Sequence, residues 1–369
     1  MKQGWEIIPF ENSIVKVKYT TKIPSNDYLE QGLYPIVSQE EGLISGYWND
    51  EADVFKISSP VVIFGDHTRI LKYVDFDFVL GADGVKILQP IESINAKFFK
   101  LYLESCKIPS LGYSRHYKLL KELQVPIPSR EEQEKIVAEL DCLSGVIEKK
   151  KQQLKELDAL AQSIFYTMFG NPITNEKGWE VDRLGNLCEI SSSKRIYAHE
   201  YCENGVPFYR GKEISEKSKG NDTSVELYIS EERYSELKNK FGVPQIGDIL
   251  LTAVGTIGNI WVVDSNTPFY FKDGNVLWLQ AKEDINPIYF KALLYNLIDK
   301  YKESMANGCA YSALTIVNLK EMKTNKIPYT LQQKFADKIE AIEKQKQLIK
   351  KSIEETETLF NARMDYYFN

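Results

Sequence analysis

The chain has 369 residues, 43% hydrophobic and 27% charged, with 46 Lys+Arg against 52 Asp+Glu and a formal charge of −6. That length and composition suit two globular domains plus connectors, and exclude a collagen-like, disordered or membrane-spanning chain. The acidic balance, with no basic tail or arm, excludes a nucleic-acid binder that works through bulk charge; any such contact has to use local clusters. The opening lacks a signal-like apolar stretch, so the chain is expected in the cytoplasm. Five cysteines (Cys106, Cys142, Cys188, Cys202, Cys309) without C-x-x-C spacing read as free thiols, and three histidines make a metal site unexpected.

In chain order, a first globule over 1–128 opens on Gly4-Trp5-Glu6-Ile7 and carries the β-type run Pro60–Phe64. Asn95 reads as the N-cap of a helix from Ala96. A long helix is expected over 129–170. Ser129-x-x-Glu132 forms a capping box at its start, and Ile136, Leu140, Leu143, Ile147, Lys150, Leu154, Leu157, Ala161, Ile164 and Met168 follow in heptad steps. Gly170-Asn171-Pro172 stops it, and 171–177 is a linker. A second globule over 178–328 opens on Gly178-Trp179-Glu180-Val181. It has β-type runs at Asp248–Thr252 and Gly258–Val263 and a helix N-cap at Asn286 before Pro287. A second long helix fills 329–369, with Thr330-x-x-Gln333 as its capping box and Phe335, Ile339, Ile342, Lys346, Ile349, Ile353, Thr356, Phe360, Arg363 and Tyr367 along its seam.

The two halves are one unit written twice. The offset between matching landmarks grows from 174 at the Gly-Trp-Glu openings, through 190 at Gly65/Gly255 and Gly84/Gly274, to 199 along the helices, without a change of order. The expected fold is therefore mixed α+β: two similar α/β domains with twisted sheets, separated by two long antiparallel coiled-coil helices in a pseudo-two-fold internal repeat. At about 1.5 Å per residue, roughly 40 residues give each helix about 60 Å. Lys150, Lys346 and Arg363 on the seam either set its register or snorkel to water.

Polar residues beside glycines are the candidates for contact with a groove. In the first half these are His67, Thr68 and Arg69 after Gly65 and Asp66, and Ser114, Arg115, His116 and Lys118 after Gly112. In the second they are Lys194 and Arg195, Arg210 and Lys212, Thr256 and Asn259 near Gly255 and Gly258, and Tyr311 and Ser312 after Gly308. Arg pairs with guanine and Asn with adenine in the major groove, so these residue types at loop tips fit base and phosphate contact. Each has a plainer reading. His67 and His116 serve equally as turn or core histidines, Arg69 as the ion-pair partner of Asp66, Lys194-Arg195 as a solvated pair, and Tyr113 and Tyr117 as packing.

At this point the sequence resembles a known family. Val125-Pro126-Ile127-Pro128-Ser129-Arg130-Glu131-Glu132-Gln133-Glu134-Lys135-Ile136-Val137 is similar to the opening of the first helical region in specificity subunits of type I restriction-modification systems. So is Leu154-Lys155-Glu156-Leu157 running on to Met168-Phe169-Gly170-Asn171-Pro172. Gln245-Ile246-Gly247-Asp248-Ile249-Leu250-Leu251-Thr252, with Gly255 and Gly258, resembles a motif of their target-recognition domains, and Val61–Arg69 is a variant of it. The resemblance covers the whole chain in the family's order. It implies a non-catalytic DNA-binding subunit in which each target-recognition domain reads one half of a split asymmetric target in double-stranded DNA. The helices would fix the gap and dock two methyltransferase (modification) subunits, which restriction and translocase subunits can join. It implies no cofactor in this chain, with S-adenosylmethionine, ATP and magnesium belonging to the partners.

The residues agree with a reader more than with a catalyst. No G-x-x-x-x-G-K-[ST] loop occurs, and no triad or metal-ligand cluster can be assembled. A coiled-coil scaffold whose globules bind proteins and not DNA is the competing reading, and an enzyme with an unrecognised site is a third.

Overall fold

Val61, Val62, Ile63 and Phe64 are all buried, and alternate residues of this strand serve two different cores. Val61 and Ile63 face Val37, Phe78 and Leu80, whereas Val62 and Phe64 face Phe98, Phe99 and Tyr102 of a helix. A strand apolar on both faces has to lie in the middle layer of three. In this computed structural model the described residues are 4–82, 84–112, 114–306 and 314–369, without the side chains of 304–306. They fall into two units, one made of residues up to 153 together with 349–369, the other of residues 154–348.

The middle layer of the first unit is an antiparallel sheet in the spatial order Ile14–Val15, Val85–Pro90, Val61–Gly65, Leu71–Val74. On one side lies a second sheet, where Phe78–Gly81 pairs parallel with Lys22–Ile23 and with Tyr34–Val37, and Gly46–Trp48 continues beyond the latter. On the other side lie the helix Ala96–Ser105 and parts of both long helices. Glu6–Pro9 pairs with Gln124–Ile127, so the two ends of the globule are zipped together.

The second unit repeats this scheme. Its middle sheet runs Cys188–Ser192, Val276–Ala281, Ile249–Thr252, Ile260–Val262 in the same spatial order, and Val181–Arg183 zips to Lys323–Asn325. The parallel pair of the second sheet recurs as Val206–Tyr209 with Tyr270–Phe271. Between that pair and the central strand the copies differ. The first has the hairpin strand Gly46–Trp48, and the second has the helices Gly211–Ser218 and Glu231–Phe241.

The long helices run Arg130–Phe169 and Tyr329–Phe368. They pair antiparallel inside each unit. In the first unit Glu139 binds Arg363 and Tyr367, Lys150 reaches Ser352 and Thr356, and Lys151 lies 3.1 Å from Glu357. In the second, Lys346 pairs with Asp158 at 2.7 Å, and Phe165 and Phe169 meet Phe335. All three seam cations are therefore spent across the seam, the register-setting option, and none simply snorkels. The heptad reading placed Ile164 and Met168 on the seam. The helix buries Phe165 and Phe169 more deeply, against Tyr289 of the second globule. Met364 and Phe368, 199 positions on, plug the first globule in the same way.

The helix starts correct one expectation. Ser129 Oγ accepts from the Glu132 amide at 3.3 Å, but Glu132 turns its carboxylate to Trp5 Nε1 at 3.2 Å. In the second copy the helix begins at Tyr329, so Thr330 already lies within it, and Gln333 bonds Asn286 and Asp337. The Thr330 capping box is absent because one residue is missing between the Ile-Pro landmark and the helix. What the copies share is a buried glutamine. Gln133 Oε1 accepts from the Asn95 amide at 2.7 Å, and its Nε2 donates to Ser93 O and Pro128 O, both at 2.9 Å. Gln332 does the same to Asn286 N–H (2.8 Å), Asp284 O (3.2 Å) and Ile327 O (2.9 Å). Asn95 and Asn286 cap the helices Ala96–Ser105 and Pro287–Ala306 beside these pins, as their sequence context predicts.

Candidate nucleic-acid interface

The central hairpin of the first globule turns through residues 66–70. Gly65 cannot carry a side chain there, since a Cβ would stand 2.2 Å from Thr68 Oγ1 and 2.9 Å from Gln39 Cβ. Thr68 Oγ1 donates to Gln39 O at 2.7 Å, the His67 amide donates to Gln39 Oε1 at 3.2 Å, and His67 itself is exposed. Arg69 has a left-handed backbone (φ 62°) and sends Nη1 to Ile108 O at 2.9 Å, so it does not form the ion pair with Asp66 considered from sequence.

Asp66 is instead buried and receives the second candidate segment. Its carbonyl accepts the His116 amide at 2.9 Å, and its Oδ1 accepts the Tyr117 amide at 2.7 Å. The His116 ring has no exposure. Its Nε2 accepts the Leu111 amide at 2.8 Å, so its Nδ1 must carry the proton that it gives to Asp66 O at 2.9 Å. His116 is thus a correction: a buried pin that cannot meet DNA in this conformation. It joins two segments 50 residues apart into one edge. On that edge Ser114, Arg115 and Lys118 are exposed, and Arg115 and Lys118 have no hydrogen-bond or ion-pair partner among the described residues.

The second globule has the same backbone frame. The Ala253 amide donates to Asn275 O at 2.9 Å, as the Asp66 amide donates to Gly84 O at 2.7 Å. The Leu314 amide donates to Ala253 O at 3.1 Å, the counterpart of His116 to Asp66. Ala253 and Leu314 are both buried, so an apolar pair holds the place that Asp66 and His116 hold in the first copy. Tyr311 and Ser312 lie outside the described residues.

Thr256 is exposed on the second turn. Asn259 Nδ2 donates to Ser215 Oγ at 2.8 Å and to Thr256 O at 3.2 Å, tying the turn to the helix Gly211–Ser218. Asn259 therefore spends its amide donors on positioning, a second correction. Arg210 is a third. It bonds the buried Glu213 and, through Nη2, Glu226 at 2.7 Å, and Lys212 shares Glu226 at 2.5 Å. These two cations push the Glu226 carboxyl down to about 2, so the trio is a closed charge cluster at neutral pH. Lys194 and Arg195 are exposed; the Lys194 ammonium sits 4.8 Å from the Phe241 ring, and Arg195 Nε bonds Asp273 at 3.0 Å. Sequence reading missed Gln39, Ser215, and the pinning role of Asp66 and His116. No local pattern marks a polar residue whose partner is 28 or more positions away.

Two tandem copies of one fold, each presenting a glycine-framed turn with its own side chains, define a duplicated recognition protein. Comparison with known proteins places it. The family model described as "Type I restriction modification DNA specificity domain" matches residues 3–159 and again 176–358. The specificity subunit inferred for a type I restriction enzyme of Haemophilus influenzae is 27% identical over 297 residues, 77% of this chain and 74% of that one. The MjaIX specificity subunit of Methanocaldococcus jannaschii is 37% identical over 112 residues, 26% of each chain. The crystal structure of the type I restriction-modification S subunit from M. genitalium superposes with a TM-score of 0.60 at 16% identity, covering 98% of this chain and 95% of that one, a likeness of fold. The chain belongs to the type I restriction-modification DNA specificity family.

Proposed function

We propose that this chain reads a split DNA target for a type I restriction-modification complex, one half through each globule. The observation that carries the reading is the conserved backbone frame with exchanged side chains: Asp66 and His116 in one copy, Ala253 and Leu314 in the other. Two readers of different half-sites need a common frame and different edges. The long helices fix the gap and dock two methyltransferase subunits, which restriction and translocase subunits can join. On B-DNA two major-groove sites on one face lie about 34–36 Å apart, the spacing a protein ruler has to match. The chain itself is non-catalytic and acts in the cytoplasm; S-adenosylmethionine, ATP and magnesium are bound by its partners. Among the described residues no helix is long and apolar enough to cross a membrane, and no group of three or more His, Cys, Asp or Glu could hold a metal.

Binding selection from a random duplex pool, with and without co-expressed modification subunit, tests this. Enrichment of two fixed half-sites at one constant gap is the expected result, and binding without sequence preference at every salt concentration would return the scaffold reading. Arg115→Ala should then cost about 1–3 kcal/mol of discrimination at the first half-site alone. Equal loss at both half-sites would remove Arg115 from the reading edge.

A further inference from the structure

The edges just described differ between the copies, but a basic ledge beside them recurs. In the first globule the ring of Tyr117 has Lys86 Nζ 5.4 Å and Lys121 Nζ 5.8 Å from its centre. Tyr19 lies close by with Lys22 Nζ 5.8 Å from its ring, and Lys16 and Lys121 flank Glu11. In the second globule Phe241, 43% exposed, has Lys194 Nζ at 4.8 Å and Lys240 Nζ at 5.4 Å, and Arg195 and Lys272 share Asp273 next to Lys194.

One group of cations comes from corresponding places. Lys16 and Lys22 follow the first strand of the middle sheet in one copy, as Lys194 and Arg195 do in the other. Lys86 lies within the middle-sheet strand Val85–Pro90, whereas Lys272 precedes the equivalent strand Val276–Ala281, so these two cations are not equivalent. The rings do not correspond. Tyr117 sits at the start of a short helix after the reading loop, and Phe241 ends a helix that the first copy lacks. A ring flanked by two lysines, beside an equivalent basic segment, thus recurs on unrelated rings in a chain whose net charge is negative.

What two readers of different sequences share is the part of DNA that has no sequence. We propose that these two ledges bind the phosphodiester backbone of duplex DNA on the flank of each half-site, with the Lys16–Lys22 segment and Lys121 serving the first and Lys194 and Lys240 the second. Ammonium groups held against rings by cation–π attraction are ordered before DNA arrives, which lowers the entropy lost on binding. Asp66 of the reading turn lies 3.9 Å from Lys86, which ties that ledge cation to the turn, and in the second copy Asp273 holds Arg195 at 3.0 Å.

The inference rests on the reading of the chain as a DNA binder, and one titration separates the two. The full-length protein is titrated by fluorescence anisotropy with a random-sequence duplex, and with a duplex carrying the selected target, over a range of monovalent salt. Each phosphate neutralised adds about −0.9 to the slope of log affinity against log salt. The double variants Lys16→Gln/Lys22→Gln and Lys194→Gln/Lys240→Gln should each make that slope shallower by about 1–2, with half-site preference unchanged. Glu11→Gln, which removes a carboxylate from the ledge and cannot act by weakening a lysine, should tighten binding at low salt. Slopes equal to wild type in both double variants, or lost half-site preference at unchanged slope, would overturn the ledge. Absence of any duplex binding by the wild-type chain at low salt would overturn the DNA reading itself, and the ledge with it.

Discussion

Gln133→Ala should destabilise the first unit by about 3–5 kcal/mol, because it leaves the Asn95 amide and the Ser93 and Pro128 carbonyls without their partner. Each buried group left unpaired costs roughly 1–3 kcal/mol, and water entering the space made by truncation recovers part of that. Gln332→Ala should do the same to the second unit through Asn286, Asp284 and Ile327. Hydrogen exchange resolves the two effects. Amides of Val61–Gly65 should lose protection in the first variant and those of Ile249–Thr252 in the second; equal loss in both variants would mean that the pins act on the whole chain. Gln133→Glu adds a signed test. A carboxylate can accept from Asn95 N–H but repels the two carbonyls, so folding favours its protonated form and raises its pKa above the ordinary glutamate value. Stability of that variant is therefore greatest at acidic pH and is lost as pH rises through the folded-state pKa, opposite to the usual paired carboxylate.

His116→Leu should abolish discrimination at the first half-site and leave the second unaffected. The substitution keeps the volume apolar, as Leu314 does in the other copy. It removes the two ring bonds, to the Leu111 amide and to Asp66 O, so the stretch Leu111–Arg115 loses its anchor to the turn bearing His67 and Thr68 and is held only from the His116 and Tyr117 amides onward. The expected loss is about 1–3 kcal/mol of sequence preference at one half-site, roughly 5- to 150-fold. Overall affinity for random duplex should change little, because phosphate contacts remain. Asp66→Ala acts on the same loop through the Tyr117 amide, so the costs of the two substitutions should be non-additive in a double-mutant cycle. Additive costs, or a loss at both half-sites, would show that the pin does not hold the reading edge.

The parts of this molecule legible in the sequence are those with a period or a repeated word. Val61–Phe64 and Asp248–Thr252 showed as strands, and Asn95 and Asn286 as caps, because each signal lies within a few residues. The long helices followed from heptads, and membership of the family followed from the order of motifs. The Thr330 capping box failed for a local reason: a single deletion moved the helix start, and the pattern-match did not. The site was less legible. Arg115 and Lys118 are exposed, but Arg210 is consumed by Glu213 and Glu226, Asn259 by Ser215, and His116 by Asp66. All of these partners except Glu213 are more than ten positions away, and a glycine-flanked polar residue looks the same whether it faces a groove or a partner of its own.

The burial of Phe368 against Phe98 and Tyr102, 5.5 Å and 6.0 Å between ring centres, has a consequence for biosynthesis. The first globule leaves the ribosome early, yet the face that Met364, Tyr367 and Phe368 cover stays open until those residues are made. At about 5–20 residues per second, the stretch between residues 153 and 349 alone imposes a wait of about 10–40 s. A transcript cut short in the second half would yield a first reader with an unsealed, sticky face, a natural substrate for chaperones and proteases. Burial of the first globule's last open face is thereby coupled to synthesis of the second long helix.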